Sequence, residues 1–271
     1  MKSKTVYIGY DLHLNLKLYN LPKNLIQKIK SLGLNLSLVK INGEKDKILE
    51  KIEIYFGNRI TDKIIGNSPN LKWIHFGSIG IDSIKNKKQV KKRKIIVTNS
   101  KGTMEDSVAV SVISSMLYFS RGLDHVERLR RKRNLNRKSI DKFFDNFSDL
   151  KNTTCLIVGR GTIGKKIEKI CKSMSIKILS IQKRRNMNKK SNKYFFKLDD
   201  LENLVKRSDF IVNLLPLTDE TKNAFNKKIF NKMKSNSIFI NMGRGKTINE
   251  KDLYNILKLK KIRGAALDVF E

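Results

Sequence analysis

Two cysteines are all the chain has, too few for a disulfide framework, and the pair lacks zinc-ligand spacing. Cys155 falls in an apolar run and Cys171 in the amphipathic segment after it, so both read as small core residues rather than reactive thiols. No apolar run is long enough to cross a bilayer. The N-terminal MKSKTVYIGY enters a strand directly, without a signal-peptide core or cleavage site. A cytoplasmic chain with no membrane partner is therefore expected. Acidic residues are also scarce, 25 against 58 Lys and Arg, which leaves a net charge of +33. Charge of that size raises nucleic acid as a partner. Yet there is no zinc-finger spacing, RNP-like aromatic strand or heptad repeat behind a basic region, and the lysines are scattered through every predicted helix. Compositional drift toward Lys, Asn and Ile accounts for the charge better than nucleic-acid binding does.

What is present is globular. A hydrophobic content of 39% in 271 residues allows two domains of ordinary size. Short strands at Thr5–Gly9, Asn35–Val39, Ile52–Phe56, Trp73–Phe76 and Ile95–Thr98 alternate with helical stretches. The first helix is opened by Pro22, striped by Leu25, Ile26, Ile29 and Leu32, and closed by Gly33. Such alternation argues an α/β domain with a parallel sheet. Gly77-Ser78-Ile79-Gly80 follows the fourth strand. It can offer free amides to an anion, or be an ordinary strand-to-helix turn, and taken alone the second reading is simpler. Two basic runs, 85–94 and 128–138, read as solvated surfaces. Asn99-Ser100-Lys101-Gly102 reads as the connection between domains at 1–98 and 99–271. Glu105–Phe119 is expected to be a helix whose inner side carries Val108, Val112, Ile113 and Met116.

Everything downstream is organised around Thr154–Ile181. An apolar strand meets Gly159-Arg160-Gly161-Thr162-Ile163-Gly164, then an amphipathic helix, then a second apolar strand. In that setting Gly159 makes the turn, Gly161 lets backbone approach a pyrophosphate, and Gly164 lets the helix lie on the sheet with its first amides aimed at the phosphates. Further strands are expected at Asp209–Leu214, Ser237–Asn241 and Gly264–Val269. Between them come a helix carrying Phe225, Ile229, Phe230 and Met233, and one capped by Asn249 carrying Leu253, Ile256, Leu257 and Leu259.

In open α/β sheets ligands bind at the carboxyl ends of the strands. Here those ends are Gly159–Gly164, Gln182–Arg185, Leu215-Pro216, Met242-Gly243-Arg244 and Asp268. Arg244 stands between two glycines, where a guanidinium has little to pack against. It can hold a carboxylate through two parallel hydrogen bonds and polarise a neighbouring carbonyl. An acidic residue at the end of the second strand would bind the adenosine ribose of NAD. Gln182 followed by Lys183, Arg184 and Arg185 suits NADP instead.

The segments GRGTIG, LPLTDETKNAF, INMGRGKTINEKDL and IRGAALDVFE, in this order, closely resemble the D-isomer-specific 2-hydroxyacid dehydrogenases. LKWIHFGSIGIDSI resembles that family's substrate-loop segment and looks nearest to glyoxylate and hydroxypyruvate reductases. The resemblance implies two Rossmann-like doubly wound parallel-sheet domains, a flavodoxin-like substrate domain and an NAD(P)-binding Rossmann domain incomplete at its C-terminal end. The active site would lie in the cleft between them, in a homodimer that interconverts a 2-keto acid and a D-2-hydroxy acid with NAD or NADP. It further implies that Ile79 and Gly80 offer amides to the substrate carboxylate and that Thr162 and Ile163 lie at the pyrophosphate. Arg244 would bind the substrate's carboxylate and carbonyl, Asp268 would hold the nicotinamide carboxamide, and Leu215, Pro216, Met242 and Gly243 would border the cofactor.

One departure from the family carries weight. Its catalytic histidine, the proton donor, and the glutamate that keeps it protonated both fall beyond Asp268. Here Glu271 aligns with the position before that glutamate, and the only histidines are His13, His75 and His125. A chain ending here is expected to be inactive as given. The rival readings are a non-catalytic NAD(P)-binding regulatory or sensor protein and, more weakly, a nucleic-acid binder acting through the basic runs.

Overall fold

A computed structural model of the chain describes residues 5–11, 23–32, 35–58, 60–81, 83–84, 87–143, 149–182 and 195–271. The chain divides into two compact units, Met1–Met104 and Glu105–Glu271.

The first unit runs β1 (Val6–Asp11), α1 (Lys23–Lys30), β2 (Leu36–Lys40), β3 (Ile54–Gly57), α2 (Asp62–Gly66), β4 (Trp73–Phe76), α3 (Lys87–Lys92) and β5 (Ile96–Asn99). All its strands pair in parallel in the order β2-β1-β3-β4-β5, the flavodoxin-like doubly wound order. Tyr55, Ile74 and Phe76 alternate onto one face and pack with Ile64, Ile65 and Val90 from α2 and α3. On the other face Trp73 and Ile96 remain exposed. The stripe expected on α1 is only half realised. Ile26 and Ile29 are half-buried while Leu25 and Leu32 are exposed, and Pro22 and Gly33 lie outside the described residues.

The second unit begins with α4 (Glu105–Ser120), α5 (Leu123–Arg131) and α6 (Arg137–Asp141). Then come β6 (Thr154–Val158), α7 (Thr162–Ser173), β7 (Lys177–Ile181), β8 (Phe195–Phe196), α8 (Leu201–Val205), β9 (Phe210–Asn213), α9 (Lys227–Phe230), β10 (Ile238–Asn241), α10 (Glu250–Lys258) and β11 (Gly264–Leu267). The sheet order is β11-β10-β9-β6-β7-β8, again all parallel. It reverses direction between β6 and β9, which is where a doubly wound sheet opens a crevice.

Strand alternation explains both layers of this unit. Cys155 and Ile157 face α4 and α7, packing with Ala109, Val112, Met116, Ile167 and Cys171. Leu156 and Val158 face the other way, onto Leu204, Phe230, Leu253 and Ile256. Each Leu or Ile so buried contributes about 1.5–3 kcal/mol. The inner face of α4 is centred on Ala109, Val112, Met116 and Phe119, with Val108 and Ile113 only half-buried at its margins.

Two expected helices change. The one expected over Phe225–Met233 is the short α9, capped by Asn226. Phe225 precedes it in a bridge to Ile248, and Met233 follows it, although all four apolar residues are buried. Leu259 lies just past the end of α10 and is exposed. The edge strand β8 is an addition, two residues paired with β7, with Phe196 packed against the core. Among the described residues no helix is long and apolar enough to cross a membrane.

Candidate functional site

The glycine loop sits at the reversal point of the second sheet. Gly159 has φ 106°, a conformation that disfavours any Cβ, and a Cβ there would stand 2.9 Å from the Leu214 carbonyl. A Cβ on Gly164 would meet Gly159 O at 3.0 Å and Ile157 Cγ2 at 3.1 Å, so this glycine sets how closely α7 lies on β6. Gly161 differs, because no described atom lies within 4 Å of a Cβ built on it. Directly after it α7 starts at Thr162, and no side chain caps its first amides. An uncapped helix start facing open space is built for an anion.

Beside this loop lies a cavity of about 660 Å³, within the range of small-molecule sites. Gly159, Gly161, Gln182, Leu215 and Pro216 line it together, as do Arg160, Lys197, Asp199 and Glu220. Lys183 and Arg184 lie outside the described residues.

At the next strand ends the chain is held by buried polar side chains that sequence reading passed over. Asn213 and Asn241 end β9 and β10 in register and are both fully buried. Asn213 Nδ2 donates to Asn241 Oδ1 (2.9 Å) and to Thr247 Oγ1 (2.7 Å), while Asn213 Oδ1 accepts from Leu215 N (3.2 Å). Asn241 Oδ1 also accepts from Gly243 N at 3.1 Å. The Arg244 carbonyl accepts from Thr247 Oγ1 (2.6 Å) and Asn241 Nδ2 (3.4 Å). This network joins the Leu215 and Arg244 loops. A readable signal existed, since DFIVN and SIFIN both end in asparagine.

Arg244 is half-buried in extended backbone, and its Nη1 donates to Gly243 O at 2.7 Å. Gly243 admits no side chain, because a Cβ would lie 2.7 Å from Leu215 O. Met242 is half-buried and packs against the apolar cluster beneath α4 and α7. Asp268 follows β11, exposed, with its amide donating to Asn241 O at 3.0 Å.

In the first unit Ile79 and Gly80 follow β4 in a half-buried loop held through its carbonyls. Asn99 Nδ2 donates to Ile79 O (2.7 Å) and Ser78 Oγ to Gly80 O (3.1 Å). His75 stays in the sheet face, stacked on Phe56 with ring centroids 5.5 Å apart and 2.8 Å from Thr98 Oγ1 through Nδ1.

Cys155 and Cys171 are buried; the hydrogen bond that Cys155 donates to Cys171, with burial, pushes the Cys155 thiol well above its ordinary range. In the basic run on α5, hydrogen bonds from Arg130 and Arg131 hold Glu127 down to about 2. No group of three or more His, Cys, Asp or Glu that could hold a metal ion occurs among the described residues.

Comparison with known proteins agrees with this layout. The family model described as D-isomer specific 2-hydroxyacid dehydrogenase, NAD binding domain, matches residues 113–271. A D-3-phosphoglycerate dehydrogenase of Methanocaldococcus jannaschii is 31% identical over 84% of this chain and 43% of its own length. A glyoxylate reductase of Pyrococcus horikoshii is 30% identical over 84% of this chain, which spans 68% of that relative. The structure of an acyclic imino acid reductase in complex with NADPH and D-Arg superposes with a TM-score of 0.82 at 25% identity, covering 98% of this chain and 83% of that one.

Proposed function

The chain belongs to the D-isomer specific 2-hydroxyacid dehydrogenase family, and from that premise we propose that it binds a nicotinamide dinucleotide in the cavity of its second unit and serves the interconversion of a 2-keto acid and a D-2-hydroxy acid. The observation that carries this reading is the open space over Gly161, at the uncapped start of α7 and beside a cavity lined by Gln182, Leu215 and Pro216. The residues fit the cofactor: the amides of Thr162 and Ile163 face the pyrophosphate, and Gly159 and Gly164 keep the loop low enough to admit it. The nicotinamide supplies and accepts the hydride. Met242 and Gly243 border it, and the Asp268 carboxylate accepts from its carboxamide.

Arg244 holds the substrate carboxylate and polarises the carbonyl that gains the hydride. Within the first unit, the amides of Ile79 and Gly80 are the proposed donors to a substrate carboxylate. Glyoxylate and hydroxypyruvate are the substrates to try first, since relatives named for reducing them match most of this chain. Gln182 in place of an acid favours NADP over NAD. No histidine follows Arg244 in these 271 residues, so a polypeptide limited to them binds both ligands with little turnover. A homodimer is supported by α4, which buries Val112 and Met116 yet exposes Val110, Leu117 and Tyr118 on its outer side.

Fluorescence titration tests the reading. NADPH should bind the full chain, and glyoxylate should bind the complex only while Arg244 is present. Arg244→Met should keep NADPH and lose glyoxylate. Absence of binding by NADH and NADPH alike at about millimolar concentration would overturn it.

A further inference from the structure

We propose that the arginine-rich surface of α5 and α6 binds duplex nucleic acid, gripping its phosphates without regard to base sequence. This is a second activity of the second unit, separate from the cavity beside Gly161.

From Arg128 to Ile140, thirteen residues carry seven cations and no acid. Five of the seven are arginine, whereas the other 51 Lys and Arg of the chain include only nine arginines. Drift toward lysine explains the charge elsewhere and does not explain this run. Lysine is a compact point charge; arginine presents a planar fork that takes two phosphate oxygens at once.

The fold holds the run as a fixed surface. His125 and Leu129 bury the inner side of α5, and Asp124 in its first turn accepts from Arg263 at 3.3 Å. Past the helix end Asn134 N donates to Leu129 O at 2.9 Å, and Asn136 caps α6 by accepting from Ser139 N at 2.9 Å. Every residue from Arg130 to Lys138 is exposed.

Local ion pairs do not require arginine here. Arg128 reaches Asp124, Arg130 and Arg131 share Glu127, and Arg137 reaches Asp141, on arginine side chains 64–84% exposed. Pairs so exposed stabilise little, and lysine would serve as well. Arg131 and Arg137 use Nε for these contacts, leaving their Nη groups toward solvent.

Other polyanions fit less well. Leu135 is the one apolar side chain exposed between Arg128 and Ile140, too little to enter a bilayer or anchor a protein interface. The run has no aromatic residue on which an unpaired base could stack. What it offers is surplus positive charge and forked donors, the make-up of a contact with a phosphate backbone.

Fluorescence anisotropy of the full chain with a labelled DNA duplex two helical turns long tests this. Kd should be roughly 1–100 μM near about 0.15 M salt and rise with salt at a log–log slope of about 4, for four or five phosphates engaged. Arg130→Gln, Arg131→Gln, Arg133→Gln and Arg137→Gln together should weaken the duplex at least about tenfold and leave Tm and NADPH affinity unchanged. Removing the same charge at the exposed Lys206, Lys227, Lys232 and Lys251, each to Gln, should cost no more than about twofold. Equal losses in the two sets would show that total charge drives binding, and the inference falls. Lysine at the same four arginine positions should weaken the duplex roughly threefold; full retention would remove the reason for arginine and the inference with it. Polyglutamate that competes as well as DNA at equal charge would overturn it in favour of an acidic polypeptide. Vesicles of phosphatidylcholine and phosphatidylserine in equal parts that bind through these arginines when the duplex does not would overturn it in favour of a membrane. None of these outcomes bears on the dinucleotide reading, which NADPH titration tests separately.

Discussion

Asn213 Nδ2 donates to Asn241 Oδ1 at 2.9 Å, joining the ends of two neighbouring strands in register. Together with the bond from Asn213 Nδ2 to Thr247 Oγ1, this contact ties the loop carrying Leu215 to the loop carrying Arg244, because the same two side chains also take Leu215 N and Gly243 N. The contact is fully buried, where a polar group left without its partner costs more than the bond is worth.

Asn213→Leu should therefore cost about 1–3 kcal/mol, leaving Asn241 and Thr247 short of a donor. At about 2–4 °C per kcal/mol for a unit of this size, differential scanning calorimetry should show a fall in Tm of several degrees. Glyoxylate binding should weaken more than NADPH binding, because Arg244 is displaced while the glycine loop is not. An unchanged Tm would show that the bond is incidental.

The two outer glycines of the loop and the middle one should separate stability from binding. Gly159→Ala forces a Cβ at φ 106° and 2.9 Å from the Leu214 carbonyl, and should destabilise by about 1–3 kcal/mol. Gly161→Val meets nothing among the described residues within 4 Å. It should keep its unfolding midpoint within about 0.5 kcal/mol and lose at least about tenfold in NAD(P)H affinity. Denaturant melts and fluorescence titrations on the same preparations check both halves.

Stability should fall as pH drops below about 6.5 on account of His125. His125 is buried, its ring lies against Phe143, and Nε2 has no hydrogen-bond partner among the described residues. Burial, then the Arg128 charge, lowers its pKa; Asp124 opposes and Arg263 adds to the lowering. The folded state thus resists a proton that the unfolded chain accepts. The stabilisation is complete above the unfolded value and declines as pH falls toward the folded one, by at most about 1.4 kcal/mol per pH unit. Urea midpoints of the wild type and His125→Phe, compared at about pH 7.5 and 5.5, should converge at the lower pH.

The outer face of α4 should decide the oligomeric state. Val110→Glu with Leu117→Glu places charges where an apolar partner surface is proposed, without touching the buried Val112 and Met116. Light scattering should move from twice the chain mass of 31.4 kDa to the chain mass itself. A wild type already at the chain mass would remove the homodimer from the proposal.

Much of this architecture was legible because hydrophobic runs and glycines act locally. An apolar strand such as Cys155–Val158, buried on both faces, suits a parallel sheet covered by helices, and Gly159 marks a turn that a Cβ would obstruct. The short apolar segment around Phe225–Met233 was harder to read. Burial of Phe225, Ile229, Phe230 and Met233 is compatible with a helix, but the chain makes one turn there, with Phe225 before it in a bridge to Ile248 and Met233 after it. A segment so short is settled by what it packs on.

Residue order by itself determined that two parallel sheets form, that a glycine turn opens onto a helix at Thr162, and that Arg244 stands between glycines at a strand end. Those features depend on neighbours a few positions apart, through backbone sterics and the two-residue alternation of strands. Only the tertiary structure decided which residues surround that turn. Lys197 reaches Gln182 because β8 pairs with β7, Arg160 pairs with Glu168 because α7 folds back beside the glycine loop, and Asn213 meets Asn241 because β9 lies beside β10. Each juxtaposition is made by strand pairing or by the packing of a helix on a strand, and the distance along the chain says nothing about it.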